Sequence, residues 1–137
     1  MSVGYLMVRS ERRSYGLPLD RVVEVADMTE VLDVPRTEVS IRGLIPLRGR
    51  LVPLLHLAAF LGRRAPPAER GHAAVLVQMG EPGQVVAFEV DDADEVVREA
   101  PLPLPEGASL PWASGVASRG TGLVPILDLD SLGERIG

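Results

Sequence analysis

The chain has 137 residues, of which 46% are hydrophobic and only 4% aromatic, and it carries 14 glycines, 12 prolines and a net charge of −5. This length accommodates one domain, or two very small modules fused around a shared core, and the many glycines and prolines favour an all-β fold over a helix bundle. The lack of cysteine excludes disulfides and zinc–thiolate sites, no apolar run is long enough to span a membrane, and the acidic balance argues against nucleic-acid binding.

The first strands are predicted near the N-terminus. Residues 5–8 and 15–19 are apolar and flank a polar turn at 9–14, which is typical of a β-hairpin. Residues 20–25 are rich in valine and predict a further strand. The N-terminal residues show neither the basic start nor the long apolar core of a signal peptide, so we expect a cytoplasmic protein.

The centre of the chain is predicted to form a second hairpin. Residues 28–34 predict a strand or an irregular connection, and residues 36–41 predict a single helical turn. Leu44–Leu47 then forms the first arm of the hairpin and Leu51–Leu55 the second. Arg48-Gly49 makes the turn, because Gly49 can take the positive φ that a tight hairpin turn needs.

The two arms of this hairpin are apolar on both faces, which is typical of strands that are covered on both sides. Each arm also contains a proline, Pro46 in the first and Pro53 in the second. Proline has no N–H to give to a β-ladder, so we expect each of them at a sheet edge, a bulge or a strand end.

The second half of the chain is predicted to repeat this alternation of short strands and turns. Residues 57–61 favour a helix, with Gly62 as the expected C-cap, and residues 63–71 favour a loop. A hairpin of strands 73–79 and 85–90 about a turn at 80–83 follows, and then an acidic turn at 91–95 and a short strand at 96–97. An extended connector is predicted at 100–111. The last predicted elements are a hairpin over 116–127, with Gly120 and Gly122 at its tip, and a helical turn at 128–132.

An internal repeat accompanies these elements. Leu51-Val-Pro-Leu-Leu-His-Leu57 returns about 72 residues later as Leu123-Val-Pro-Ile-Leu-Asp-Leu129. Residues 16–25 return more weakly as residues 87–96. Two similar β modules, each too small to bury a good core alone, are therefore expected to share a hydrophobic centre and to leave a cleft between them. Val22 and Ala93 are counterparts in this repeat, and Gly43 and Gly115 form a second pair of counterparts.

The residue types that carry catalysis or bind metals do not form a recognisable site. His56 and His72 are the only histidines, and His56 is interpreted as a polar residue that ends a strand and hydrogen-bonds a turn. The acidic run at 91–95 lacks the spacing of a calcium loop, and Gly120-Thr-Gly122 lacks the lysine of a phosphate loop. Trp112 is interpreted as a core or module-seam residue, with a ligand platform as the alternative. The chain is therefore predicted to be a binding module that uses no cofactor or metal.

The residues that stand out also carry a resemblance to a known family. Residues 15–25, residues 43–57, the acidic stretch before Val96 and residues 115–129 resemble the CheW-like domain. That domain occurs in the chemotaxis coupling protein and as the regulatory domain of the histidine kinase CheA. The resemblance implies an all-β fold of two pseudo-symmetric five-stranded β-barrels around a common core. We expect one domain over residues 1–137 made of two intertwined β subdomains, with a second module at roughly 70–115 and a first module from the flanking and N-terminal segments.

The resemblance also implies a function. Members of the family are non-catalytic scaffolds that join the cytoplasmic tip of chemoreceptors, the methyl-accepting chemotaxis proteins, to the regulatory domain of CheA, without nucleic acid and without inserting into the membrane. This chain has Pro46 where the family usually has Asn, and His56 where it usually has Asp. These differences suggest a divergent coupling protein. An alternative is a module that binds only one array component and modulates another chemosensory pathway, in motility or development.

The same resemblance implies a receptor-binding groove between the modules, formed by Val22, Gly43, Arg48, Ala93 and Gly115. Val22 would supply an apolar floor, and Ala93 stands where the family has a larger aliphatic residue. The two glycines would let a receptor helix approach closely, or else serve a turn or bulge. Arg48 would hydrogen-bond receptor carbonyls or carboxylates, or else be a solvated hairpin-tip arginine.

Overall fold

Ten strands and two short helices follow one another in the part of the chain that the computed structural model describes, residues 3–28, 30–35, 38–108, 110–120 and 122–136. The elements of the first half are β1 (Tyr5–Ser10), β2 (Arg13–Pro18), a 3-10 turn (Leu19–Arg21), β3 (Val22–Asp27), β4 (Ile41–Leu47), β5 (Arg50–His56) and α1 (Leu57–Gly62). Those of the second half are β6 (Ala73–Gln78), β7 (Val85–Val90), β8 (Asp92–Val97), β9 (Ala113–Arg119), β10 (Gly122–Leu127) and α2 (Leu129–Gly133). No helix in these ranges is long and apolar enough to cross a membrane.

The strands form two five-stranded sheets with equivalent orders. Sheet one runs β8-β1-β2-β10-β9 and sheet two runs β3-β6-β7-β5-β4. Neighbouring strands are antiparallel except for one parallel pair in each sheet, β2 with β10 and β5 with β7. Replacing each strand by the one five places further along the chain turns one sheet order into the other. The three-dimensional structure therefore carries the repeat that the sequence predicts.

The two halves of the chain are intertwined rather than side by side. Sheet one takes β1 and β2 from the first half and β8, β9 and β10 from the second, whereas sheet two takes β3, β4 and β5 from the first half and β6 and β7 from the second. The module expected at roughly 70–115 coincides with neither sheet, since β6 and β7 pair with first-half strands while β8 pairs with β1. That the chain acts as a single domain stays a prediction.

Three apolar clusters account for the packing. The largest lies between the sheets and receives buried side chains from both of them and from both helices, among them Leu17, Phe60, Val77, Phe88 and Leu132. A smaller cluster of Ile45, Val52, Leu54, Ala74, Leu76 and Ala87 belongs to sheet two. Its counterpart in sheet one contains Tyr5, Val97, Ala117, Val124 and Ile126. The expected shared hydrophobic centre is confirmed.

The sheets are open, which corrects the expectation of two closed barrels while leaving the all-β fold with two five-stranded units confirmed. Within the described ranges, no ladder joins the first and last strands of either sheet. The physical reason is that connecting segments occupy the free edges of β4 and β9. Leu32 forms a two-way backbone bridge with Leu44 on β4, and Leu102 forms the same bridge with Val116 on β9.

Both prolines of the central hairpin lie where a missing N–H is tolerated, but only Pro46 lies at one of the predicted places, a sheet edge. Pro46 is on β4, an edge strand of sheet two. Pro53 is on β5, which has neighbours on both sides, but the parallel ladder to β7 begins only at Leu54. Pro53 therefore pairs with β4 alone.

Two local predictions are wrong. The C-cap of α1 is Arg63, with a left-handed φ of 54°, and not Gly62, because the N–H groups of Arg63 and Arg64 turn back onto the carbonyls of the last helical turn. The acidic run is not a turn, since Asp92 onward forms β8 against β1. Asp92 and Glu95 are exposed on this edge strand, so neither carboxylate is buried.

The segment expected as a helical turn at 36–41 is only partly visible. Residues 36 and 37 lie outside the described residues. The remainder is a hydrogen-bonded turn in which the Ile41 N–H donates to the Glu38 carbonyl at 3.1 Å, after which the chain enters β4.

Candidate functional site

Val22 and Ala93 lie at equivalent places on two equivalent edge strands, β3 of sheet two and β8 of sheet one. Val22 opens β3 opposite Val77, and Ala93 lies on β8 opposite Val8. Val77 and Val8 are fully buried in the central cluster, and Val22 and Ala93 are half-buried against it. The structure therefore brings these two predicted residues to the same cluster, one from each sheet.

Gly43 and Gly115 are both buried beneath the chain's own connecting segments. A Cβ on Gly43 would lie 2.2 Å from the Leu32 carbonyl oxygen, and one on Gly115 would lie 2.6 Å from the Leu102 carbonyl oxygen. Each glycine therefore makes room for the backbone bridge that covers the edge of its strand. The close approach that glycine permits here is made by the chain itself, and contact with a receptor stays a prediction.

Arg48 is fixed by an ion pair across the open side of sheet two. Its side chain is 77% exposed, and its Nε lies 2.7 Å from Glu24 Oε1, with Nη2 3.4 Å from Oε2. This hydrogen bond lowers the pKa of Glu24 and raises the pKa of Arg48. Because Glu24 belongs to β3 and Arg48 to the β4–β5 turn, the pair joins the two edge strands of the sheet.

Sequence reasoning missed Glu24, although the repeat contained a signal for it. Glu24 corresponds to Glu95, and Glu95 on β8 accepts a hydrogen bond from Arg119 at the end of β9, with Nη2 and Oε1 2.7 Å apart. An arginine–glutamate pair therefore bridges the edges of each sheet. A glutamate inside a valine-rich strand, present in both copies, was the available clue.

The strands next to this ion pair also expose apolar side chains. Val23 and Val25 on β3 are 56% and 45% exposed, and Leu51 on β5 is 53% exposed. We call Val22, Glu24 and Arg48, with Val23 and Val25, the β3 corner. A protein helix can use both kinds of group, since apolar side chains offer contact area and a guanidinium offers directed hydrogen bonds.

The interpretation of His56 as a strand-ending residue that bonds a turn is confirmed. His56 is buried, and its Nδ1 accepts from the Ala59 N–H at 3.1 Å, which makes it the N-cap of α1. Asp128 caps α2 in the same way through Ser131. His56 and His72 line a cleft of about 750 Å³, but the described residues contain no cluster of three side chains able to hold a metal ion.

Trp112 lies at the seam between the sheets, as predicted. It is half-buried against the central cluster, and its ring centroid is 6.0 Å from that of Tyr15 at an interplanar angle of 60°. Its carbonyl accepts a hydrogen bond from the Asp128 N–H at 2.8 Å, so the residue also fixes the start of α2.

Comparison with known proteins agrees with this geometry. The family model described as the CheW-like domain matches residues 4–136. The chemotaxis protein CheW of Klebsiella aerogenes is 22% identical over 134 residues, which cover 93% of this chain and 80% of that protein. The crystal structure of the scaffolding protein TtCheW from Thermoanaerobacter tengcongensis matches with a TM-score of 0.79 and 23% identity, over 96% of this chain and 92% of that one. The structural match establishes the similarity of fold.

Proposed function

The chain belongs to the family of CheW-like domains, and on that premise we propose that it is a non-catalytic adaptor that couples chemoreceptors to the histidine kinase CheA. The observation that carries the proposal is the family match over residues 4–136, nearly the whole chain. The names of the two similar proteins, a chemotaxis protein and a scaffolding protein, agree with it.

For the receptor we propose the β3 corner together with Ala93. A receptor's helical hairpin would lay its apolar face over the half-buried Val22 and Ala93 at the seam between the sheets. Arg48 would hydrogen-bond carbonyls or carboxylates along the helix. Since Glu24 already holds the guanidinium, little side-chain entropy is lost on binding.

Gly43 and Gly115 support the proposed groove without lining it. Each seats a connecting segment against an edge strand, through the Leu32 and Leu102 carbonyls. A larger side chain at either position would displace that segment and with it the adjacent edge of the groove. We therefore propose that the two glycines shape the receptor site rather than contact the receptor themselves.

The proposal is tested by measuring binding to both partners. The purified chain is titrated by calorimetry with a receptor cytoplasmic fragment and, separately, with a CheA regulatory domain, both from the same genome. We expect micromolar affinity for each, about −8 kcal/mol. Binding to one partner alone would replace the proposal with the single-component module, and binding to neither would refute it.

The proposed receptor site makes a sharper prediction. Arg48→Glu is expected to weaken receptor binding about tenfold or more and to leave binding of the CheA domain unchanged, because it removes the guanidinium and places a second carboxylate beside Glu24. Arg50→Glu is the matched control, since it makes the same change of charge two residues along the hairpin. Circular dichroism checks that both variants are folded. Equal receptor affinities in the two variants would rule out the assigned role of Arg48.

A further inference from the structure

Trp112, the chain's only tryptophan, is shared by three adjoining hollows on the surface. Their volumes are about 340, 400 and 420 Å³. Apolar side chains from different elements form their floors: Tyr15 of β2, Leu61 of α1, Leu110 before β9 and Leu132 of α2. We call this surface, defined by Trp112 and these four residues, the Trp112 groove.

The lining of the Trp112 groove is basic, although the whole chain is acidic. Arg13, Arg63, Arg64, Arg119 and Arg135 line the hollows, against the carboxylates of Glu11 and Glu134. The chain as a whole has a net charge of −5. The groove therefore concentrates positive charge that the composition does not suggest.

Three of these five arginines have no carboxylate partner within the described part of the chain, and one of the three, Arg135, donates to the Phe60 carbonyl instead. Arg64 is paired with Glu11, and Arg119 with Glu95. Within the described part of the chain, Arg13 and Arg63 have no carboxylate at ion-pair distance. The pKa of Arg135 is lowered by its burial and, to a smaller degree, by the charge of Arg63. The groove thus has guanidinium groups free to pair with an incoming anion.

The internal repeat shows that the fold itself does not require an indole at this position. Ser40 is the counterpart of Trp112, and its carbonyl accepts from the His56 N–H at 3.1 Å just as the Trp112 carbonyl accepts from Asp128. Ser40 is fully buried, so the equivalent position in the first half presents no surface. Because a serine provides the same backbone hydrogen bond in the first half, that bond does not explain why the exposed part of a tryptophan ring stands here in the second half.

We propose that the Trp112 groove binds an acidic segment of another protein. An apolar side chain of that segment would lie against Trp112 and Tyr15, while its carboxylates pair with Arg13 and Arg63. Tryptophan, tyrosine and arginine are the residues that most often dominate protein interfaces, and guanidinium–carboxylate pairs are among the strongest hydrogen bonds there. The groove lies on β2, α1, β9 and α2, whereas the β3 corner lies on β3 and the β4–β5 turn, so the proposal does not depend on the receptor site.

A peptide fits the groove better than a nucleic acid does. A long polyphosphate chain would be repelled by the net negative charge of the protein, whereas a short acidic segment meets only the basic lining. The hollows, of about 340 and 400 Å³, are large enough to admit side chains of such a segment.

The test uses the full chain and a short amphipathic helical peptide with glutamates on one face and leucine and phenylalanine on the other. Because Trp112 is the only tryptophan, its fluorescence and its single indole N–H resonance report directly on the groove. We expect the acidic peptide to change both signals saturably, with an affinity that falls as salt is added. The same peptide with glutamine or lysine in place of glutamate serves as the control ligand.

Charge reversal distinguishes the groove from the rest of the surface without disturbing the core. The double variant Arg13→Glu with Arg63→Glu is expected to lower the peptide affinity about tenfold or more, whereas Arg50→Glu, on the β4–β5 hairpin, leaves it unchanged. Equal binding of the three peptides, an unmoved indole signal, or tighter binding of an oligothymidylate than of the acidic peptide would each overturn the proposal.

Discussion

His56 and Asp128 perform the same task with side chains that respond differently to acid. Each accepts a hydrogen bond from a backbone N–H at 3.1 Å and starts a helix that packs into the central cluster. Neutral histidine accepts through Nδ1, but imidazolium has no acceptor, so protonation removes the cap of α1. The pKa of His56 is lowered, mainly by burial, and the nearby Arg42 and Arg64 add to this while Glu89 and Glu11 oppose it.

This difference predicts a pH dependence of stability. Since the pKa of His56 in the folded protein lies below the ordinary value of 6.5, its contribution is complete above about pH 6.5 and is lost as the pH falls through the lowered value. His56→Asn keeps an acceptor at all pH values. We expect the wild-type free energy of unfolding, measured with urea from about pH 8 to about pH 5, to fall more steeply than that of the variant.

The control for this measurement is His72→Asn, which changes the chain's other histidine, an exposed one. It is expected to follow the wild-type curve. Parallel curves for wild type and His56→Asn would show that the cap of α1 does not titrate in this range.

At the scale of elements, the loop from α1 to β6 is held by one buried ion pair. Arg42 Nε lies 2.7 Å from Glu89 Oε1, with the two side chains 8% and 0% exposed. Arg42 also donates to the carbonyls of Pro67 and Glu69, and Glu89 accepts from the Gly71 N–H at 2.9 Å. The two side chains therefore neutralise each other's charge and also hydrogen-bond three backbone groups of the loop.

Removing one partner is predicted to cost far more than removing both. Arg42→Ala should destabilise the protein by roughly 3–5 kcal/mol, because it leaves the Glu89 carboxylate buried without its partner. The double variant Arg42→Leu with Glu89→Leu should recover a large part of that loss. Urea unfolding of the two variants measures both quantities. A double variant that is less stable than Arg42→Ala would show that the hydrogen bonds to the loop matter more than the buried charge.

The elements that could be predicted from the sequence are those with strong local signals. Gly49 and the apolar runs on either side of it predict the β4–β5 hairpin, and the acceptor residues before α1 and α2 mark their starts. Only the end of β8, at residues 96–97, is predicted as strand, because acidic residues disfavour strands and are tolerated here on an exposed edge. The cap of α1 was misplaced because glycine is the usual left-handed residue, whereas here Arg63 takes that conformation.

At the scale of the whole molecule, the repeat predicts equivalence but not connectivity. A spacing of about 72 residues is equally compatible with two separate modules and with two intertwined ones. β3 and its repeat counterpart β8 could each pair with strands of either half of the chain. The choice depends on long-range pairing, in which β3 joins β6 and β8 joins β1. For the same reason the Arg48–Glu24 pair, which joins opposite edges of one sheet, had no local signature.

Intertwining predicts how the protein behaves when it is divided. A cut in the loop at residues 63–70 yields two fragments, each holding strands of both sheets but completing neither. We expect neither fragment to fold as a monomer, and an equimolar mixture to regain the β-sheet circular dichroism signal and the size of the intact chain. A fragment that sedimented as a folded monomer would contradict this arrangement.

The passage of β2 into β3 also determines how a force is carried through the molecule. β2 belongs to sheet one and β3 to sheet two, with only the 3-10 turn Leu19–Arg21 between them. Arg21 in that turn is tied to Asp130 of α2 by a 2.6 Å ion pair. Because only this three-residue turn separates β2 from β3, we expect a displacement of β3 to be transmitted directly to the opposite sheet, with the Arg21–Asp130 contact linking it to α2.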